Sequence, residues 1–234
     1  MEVLIVLAIV IIGIGIYLGY LAEKKRREAL ARLAADCGLV YNAGDPFNLP
    51  GRLGHIHTFD RGHDREAKNV IHGTWRSREM TVFDYKYTTT ETSTDSKGRT
   101  TTREVDHWFS AMVHRLELPF PQLTIRPEGL LDKIGDFLGF DDIDFESDEF
   151  SRKFRVTSEN RKFAYDICHV RTMEWLLAHR GWHVELVGGY FLLTTGGTWP
   201  APKFREALDF AAEFFERIPE FVWREYRERA GGAR

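Results

Sequence analysis

The sequence predicts an α+β protein: an N-terminal transmembrane helix, then one mainly antiparallel sheet domain with packed helices and a long C-terminal helix. Three observations predict this. Residues 3–22 form a run of 20 without a charge. Between about 68 and 118 apolar and polar residues alternate with the period of a strand. From Pro200 to about Arg229 the apolar residues return along one helical face. There is no low-complexity linker or internal repeat, so the chain divides into an anchor (1–22), a juxtamembrane amphipathic helix (23–38) and one cytoplasmic α+β domain (39–234).

The anchor comes first. At about 1.5 Å per residue, a helix of that length matches the roughly 30 Å hydrocarbon core of a bilayer. A cleaved signal peptide would need a basic segment before its apolar stretch, and Tyr20-Leu21-Ala22-Glu23 is a poor cleavage site. Lys24, Lys25, Arg26 and Arg27 follow at once, whereas only Glu2 and the amino terminus precede. The positive-inside rule then places the N-terminus outside and the bulk of the chain in the cytoplasm, as a single-pass protein of the cell membrane. The expected partners are the lipid bilayer through 3–22 and other membrane or membrane-proximal proteins. A second copy of the chain could also bind through Gly15 and Gly19, whose spacing lets two helices approach closely.

Leu30, Leu33, Ala34 and Cys37 make a helical stripe that Gly38 ends. Residues 41–64 read as loop with a short strand near 56–59. Strands follow at 70–75 and 80–88; in the second, Phe83, Tyr85 and Tyr87 alternate with Asp84, Lys86 and Thr88. The threonine-rich 88–103 reads as an exposed hairpin turning at Ser96-Lys97-Gly98. Further strands are expected at 104–118 and 122–126, then a short helix at 130–138. Ser147 suits an N-cap, with Asp148 and Glu149 at the positive end of its helix and Arg152 and Lys153 at the negative end. Ser158 is a second N-cap candidate, before helices at 160–168 and 170–179. A hairpin turns about Gly188-Gly189. In the last helix Phe204, Leu208, Ala211, Phe215, Ile218 and Val222 share one face, and Pro219 should kink it.

The segment Phe145-Glu146-Ser147-Asp148-Glu149-Phe150-Ser151-Arg152-Lys153-Phe154-Arg155-Val156, with Phe83-Asp84-Tyr85 and Pro127-Glu128 upstream and Ala164, Met173, Leu176 and Leu177 downstream, resembles a bacterial family of membrane-associated proteins known as a domain of unknown function. The resemblance spans roughly 70–195. It implies a bacterial, membrane-attached protein and supplies no catalytic residue to carry over. Its recurring Phe and Val positions suggest packing more than chemistry.

Composition narrows the function. The 32 basic and 35 acidic residues nearly balance, which argues against a dedicated nucleic-acid binder. Cys37 and Cys168 are too few for a disulfide framework or a four-cysteine zinc site, and read most simply as free thiols. His55, His57 and His63, beside Asp60 and Asp64, are the densest imidazole group and are weak metal candidates, with no recognised ligand spacing. In the run from Asp141 to Glu149, an extended chain puts Asp142, Asp144, Glu146 and Asp148 on one side and Ile143 and Phe145 on the other. Those oxygens would suit calcium or magnesium, but a solvated edge strand explains the alternation without a metal. A GxSxG elbow, a Walker loop and a dinucleotide fingerprint are all absent. Trp223 and Tyr226 are candidates to face a partner or the bilayer surface. The reading is a binding or scaffolding module at the membrane that needs no cofactor. The alternative is a membrane-tethered hydrolase using acids of 141–149.

Overall fold

A computed structural model describes residues 1–128 and 141–232, the side chains of 2–4, 6 and 8 excepted. The helix expected at 130–138 lies outside the described residues. The first element, α1 (Glu2–Asp36), is one unbroken helix across the boundary expected at 22–23. Among the described residues no helix is long and apolar enough to cross a membrane. The transmembrane anchor over 3–22, the bilayer as its partner, and the single-pass placement with the N-terminus outside therefore do not stand. From Glu23 the same helix carries Lys24, Lys25, Arg26, Arg27 and Glu28. The large apolar side chains between Ile5 and Tyr20 that are described are exposed. The C-terminal half of α1 is different: Leu30 and Ala34 are buried in the domain core, as the stripe required.

The domain is α+β, built on an eight-stranded antiparallel sheet. Its strands are β1 (Val40–Asn42), β2 (His63–Trp75), β3 (Arg78–Thr94), β4 (Thr100–Arg115), β5 (Leu123–Pro127), β6 (Phe154–Ser158), β7 (His183–Val187) and β8 (Tyr190–Thr194), in the order β1-β2-β3-β4-β8-β7-β5-β6. The β3–β4 hairpin pairs continuously from Thr81↔Val113 to Thr94↔Thr100. Asp95 closes it, its carboxylate accepting from the Lys97 and Arg99 amides, with Gly98 at φ +74° where a side chain would be strained.

Two apolar layers cover the sheet. On one face lie the second half of α1, α3 (Asp148–Lys153), α4 (Arg161–Ile167), α5 (Val170–Ala178), α6 (Ala201–Arg217) and α7 (Glu220–Gly232). Their Phe, Leu and Trp side chains meet Ile71, Val82, Met112, Ile125, Val184 and Leu193 of the strands. On the other, α2 (Leu49–Leu53) and the turns after it press Leu49, Leu53, Ile56 and Phe59 onto Val70, Phe83, Tyr85, Phe109 and Leu192. This replaces the strand expected near 56–59: the segment makes consecutive turns, and Ile56 and Phe59 are buried by the cover rather than by a ladder. The long C-terminal helix is two helices. Pro219 has no amide hydrogen to donate, so the chain opens at Ile218 and restarts at Glu220. Phe204, Leu208, Ala211, Phe215, Ile218 and Val222 are buried on both sides of this break.

Local capping differs at one position. Ser147 caps α3 as expected, accepting from the Phe150 amide. Asn160, not Ser158, caps α4 by accepting from the Phe163 amide; the Ser158 hydroxyl instead donates to the Gln122 carbonyl. Phe145, Phe150, Phe154 and Val156 of the aromatic motif are all buried.

Candidate functional site

The expected site residues are not brought together. His55 is exposed and its Nε2 lies 3.0 Å from the Gly188 carbonyl. His57 is exposed, and His63, at the start of β2, turns to its neighbour Asp64 (3.0 Å). Among the described residues no three His, Cys, Asp or Glu side chains are placed to hold a metal ion. In the acidic run, Ile143 and Phe145 are buried while Asp142, Asp144 and Glu146 are exposed. Asp142 makes a bridge to Thr157 beside the β6 edge, its carboxylate accepting from the amides of Ile143 and Val156. These carboxylates line an edge instead of converging. Tyr226 is buried against Phe120 and Phe163; Trp223 is half-buried beside them, and the exposed aromatic of α7 is Phe221.

The structure instead gathers ionisable groups in two places that the sequence did not single out. One lies on the sheet face that carries α2. In β7, Val184 and Leu186 point to the helical face, so His183 and Glu185 point the other way. The register sets His183 opposite Thr194 and Glu185 opposite Thr124, with Arg126 two residues along β5 on the same face. Thr58, from the turns after α2, donates its hydroxyl to Glu185 Oε1 at 3.1 Å. The side chains of His183 and Glu185 are only 3% and 5% exposed. Burial pushes the Glu185 carboxyl up to about 7, against the lowering effects of Thr58 and the Arg126 charge. Burial, reinforced by Arg126, pushes His183 down to about 3. His183 Nε2 lies 3.3 Å from Glu185 Oε1, but off the line of a hydrogen bond, so both ring nitrogens lack a partner, as does Thr194 Oγ1. A carboxyl titrating near neutrality beside a neutral imidazole has the makings of an acid–base pair. At such low exposure, however, a substrate has no approach to it.

The sequence hid this cluster because His-Val-Glu-Leu-Val reads as an ordinary half-buried strand with its polar residues in water. The second face being covered is a tertiary fact. The only local signal was the Ile56 and Phe59 pair, whose burial demands a surface beneath them.

The other gathering ties α1 to the sheet. A bulge in β2 turns Asn69 to φ +54° and aims its amide at Asp84, to which it donates at 2.9 Å. Arg26 grips the same carboxylate from α1 through two nitrogens at 2.7 and 3.0 Å, and Ser110 donates to it at 2.6 Å. Arg26 also donates to the Trp199 carbonyl, and the Trp199 amide donates to Ser110. Every oxygen of the 1%-exposed Asp84 is thus partnered, which makes this a structural clamp.

Two grooves open on the helical face. A groove of about 850 Å³ runs between α5 and the α6–α7 break, past His169, Val170, Pro219 and Phe221. A smaller one of about 370 Å³ lies between β3, the end of β4 and α7.

No protein-family model matches the chain, and no curated protein does. Among solved structures, the chain is similar to the crystal structure of the mycobacterial trehalose monomycolate transport factor A, TtfA. The two share a fold. The match covers 84% of this chain and 96% of TtfA, with a TM-score of 0.53 and 14% sequence identity. The sheet and helices that position both ionisable gatherings therefore belong to an architecture that TtfA also has.

Proposed function

We propose that the chain is a binding module that serves lipid transport by holding a protein partner, not by turning over a substrate. The observation that carries this is the fold shared with TtfA, a transport factor, over most of both chains. The geometry is in keeping with it: the buried His183–Glu185 pair is closed off, and the acids of 141–149 are strung along a strand edge. The described large apolar side chains of α1 between Ile5 and Tyr20 are exposed, which supports a protein partner, since apolar surface on that scale is seldom left bare. A second copy of the chain is one such partner, because Gly15 and Gly19 stand four apart on an open face and let a second helix come close.

The test has two arms. The chain is depleted from its source cell and the lipid delivered to the cell surface is quantified; purified chain is incubated with ester, glycoside and phosphodiester substrates. The proposal expects reduced delivery and no turnover. Undiminished delivery overturns it, and so does turnover that D142N, D144N and E146Q together abolish, the outcome a hydrolase would give.

A further inference from the structure

The smaller groove holds an arginine that makes no close ion pair among the described residues. Arg78 opens β3, immediately after the two-residue turn Arg76-Ser77, both of whose residues take positive φ (+43° and +68°). That turn is anchored by Arg76, which pairs with Asp209 at 3.3 Å and Glu216 at 3.7 Å on α6, and it fixes where Arg78 emerges. The Arg78 guanidinium is laid over the Phe215 ring at 4.5 Å and lies 5.4 Å from that of Trp223. Among the described residues it makes no ion pair within 4.0 Å and no hydrogen bond; its close contacts are the two rings. Glu117, on the same groove wall, and Glu216, on α6, act on its half-buried charge only at a distance. Glu117 in turn has no ion-pair partner among the described residues, whereas Glu220 is engaged by Arg227 at 3.0 Å. A cation stacked so that its N–H edge stays free is arranged to receive an oxyanion. The groove is not simply basic, however: Arg78 and Arg227 are balanced by Glu117 and Glu220, and burial pushes the His114 imidazole below its ordinary value. A balanced lining with aromatic walls disfavours a polyanion and suits a ligand that itself carries both signs.

We infer that this groove binds a phosphodiester carrying an ammonium group, its oxyanion on Arg78 and its ammonium between Glu117 and the Trp223 ring. The volume of about 370 Å³ accommodates a headgroup-sized molecule and not a whole lipid. The ligand is either a lipid headgroup presented at a surface or the free water-soluble diester. The inference rests on the lipid-transport reading for its setting only, since the groove's chemistry stands without it.

The experiment uses full-length chain and titration calorimetry with three probes: glycerophosphocholine, dimethyl phosphate and tetramethylammonium. The zwitterion should bind about tenfold more tightly than either fragment. Arg78→Met keeps the stack on Phe215 but removes the donors, and should lose about tenfold or more in affinity with an unchanged melting temperature. E117Q should weaken the zwitterion and leave dimethyl phosphate unaffected. Sedimentation with phosphatidylcholine vesicles assigns the source: retention that Arg78→Met abolishes supports the lipid headgroup, and binding of the soluble diester with inert vesicles supports the free compound. Absence of saturable zwitterion binding, or equal binding by a folded Arg78→Met chain, overturns the site. Lipid delivery measured with Arg78→Met separates the two ideas, because a failed groove with delivery still dependent on the chain leaves the transport module standing.

Discussion

Glu185 and His183 are adjacent in space and opposed in their response to pH. Below pH 4.5 the carboxyl is protonated in folded and unfolded chain alike. Between 4.5 and about 7 only the folded chain keeps that proton, so this group makes stability fall as pH rises. For His183 the unfolded imidazole takes a proton as pH drops below 6.5, while the folded one resists down to about 3, so this group makes stability fall as pH falls. Each slope is about 1.4 kcal/mol per pH unit, and between 4.5 and 6.5 they oppose each other. E185Q keeps an acceptor for the Thr58 hydroxyl but removes one titration. Urea unfolding at pH 4.5, 5.5 and 6.5 should give a nearly flat profile for the parent and, for E185Q, stability rising by about 1.4 kcal/mol per unit. Parallel profiles for the two proteins would show that the pair does not titrate in this way.

At the scale of elements, the long β3–β4 hairpin is the clearest case of an expectation that the structure meets. Beyond Thr88 the described residues place no third strand beside it, and residues 91–104 are exposed. Its tip is held by threonine pairs and by Arg103 with Glu91 at 2.8 Å, in a pair 72% and 49% exposed. Exposed pairs of that kind contribute little, and a two-stranded ribbon alone is marginal. Replacing 91–103 with Asn-Gly should therefore leave thermal stability within about 1 kcal/mol of the parent, or a few degrees in melting temperature. A loss of several kcal/mol, read by circular dichroism, would mean that the ribbon is packed against something. Alternation made this hairpin, the Ile143/Phe145 edge and the 183–194 hairpin legible, because a two-residue period is local information. The turns at 54–62 and the clamp on Asp84 were not legible. Burial of Ile56 and Phe59 depends on which face of a distant sheet needs covering, and Phe83-Asp84-Tyr85 shows only that Asp84 opposes two aromatics, not that Arg26, 58 residues earlier, will meet it. The Arg78 groove is not legible in the sequence for the same reason: its walls come from β3, the end of β4 and α7.

For the molecule as a whole, the decisive question is where the cooperative unit begins. Composition alone sets boundaries at 22 and 38, but α1 crosses the first without a break and its second half is part of the core. Up to Tyr20 the described large apolar side chains touch no buried cluster, so removing 1–22 takes away none of the core packing seen among the described residues. Removing 1–38 does three things at once. It deletes Leu30, at 0% exposure, a loss worth about 2–5 kcal/mol. It uncovers the strand residues under Leu30 and Ala34. It also strips Arg26 from Asp84, leaving a carboxylate buried among Asn69 and Ser110 without its counter-ion, a change that typically costs about 3–5 kcal/mol. The sum reaches the entire stability of an ordinary domain. Chain lacking 1–22 should then unfold in urea at the parent midpoint, chain lacking 1–38 should be unfolded or lose more than about 5 kcal/mol, and the single change Arg26→Met should fall between them at roughly 3 kcal/mol. If the 39–234 fragment instead melts with the parent, α1 is a passive tail, and the clamp that joins it to the sheet has no energetic weight.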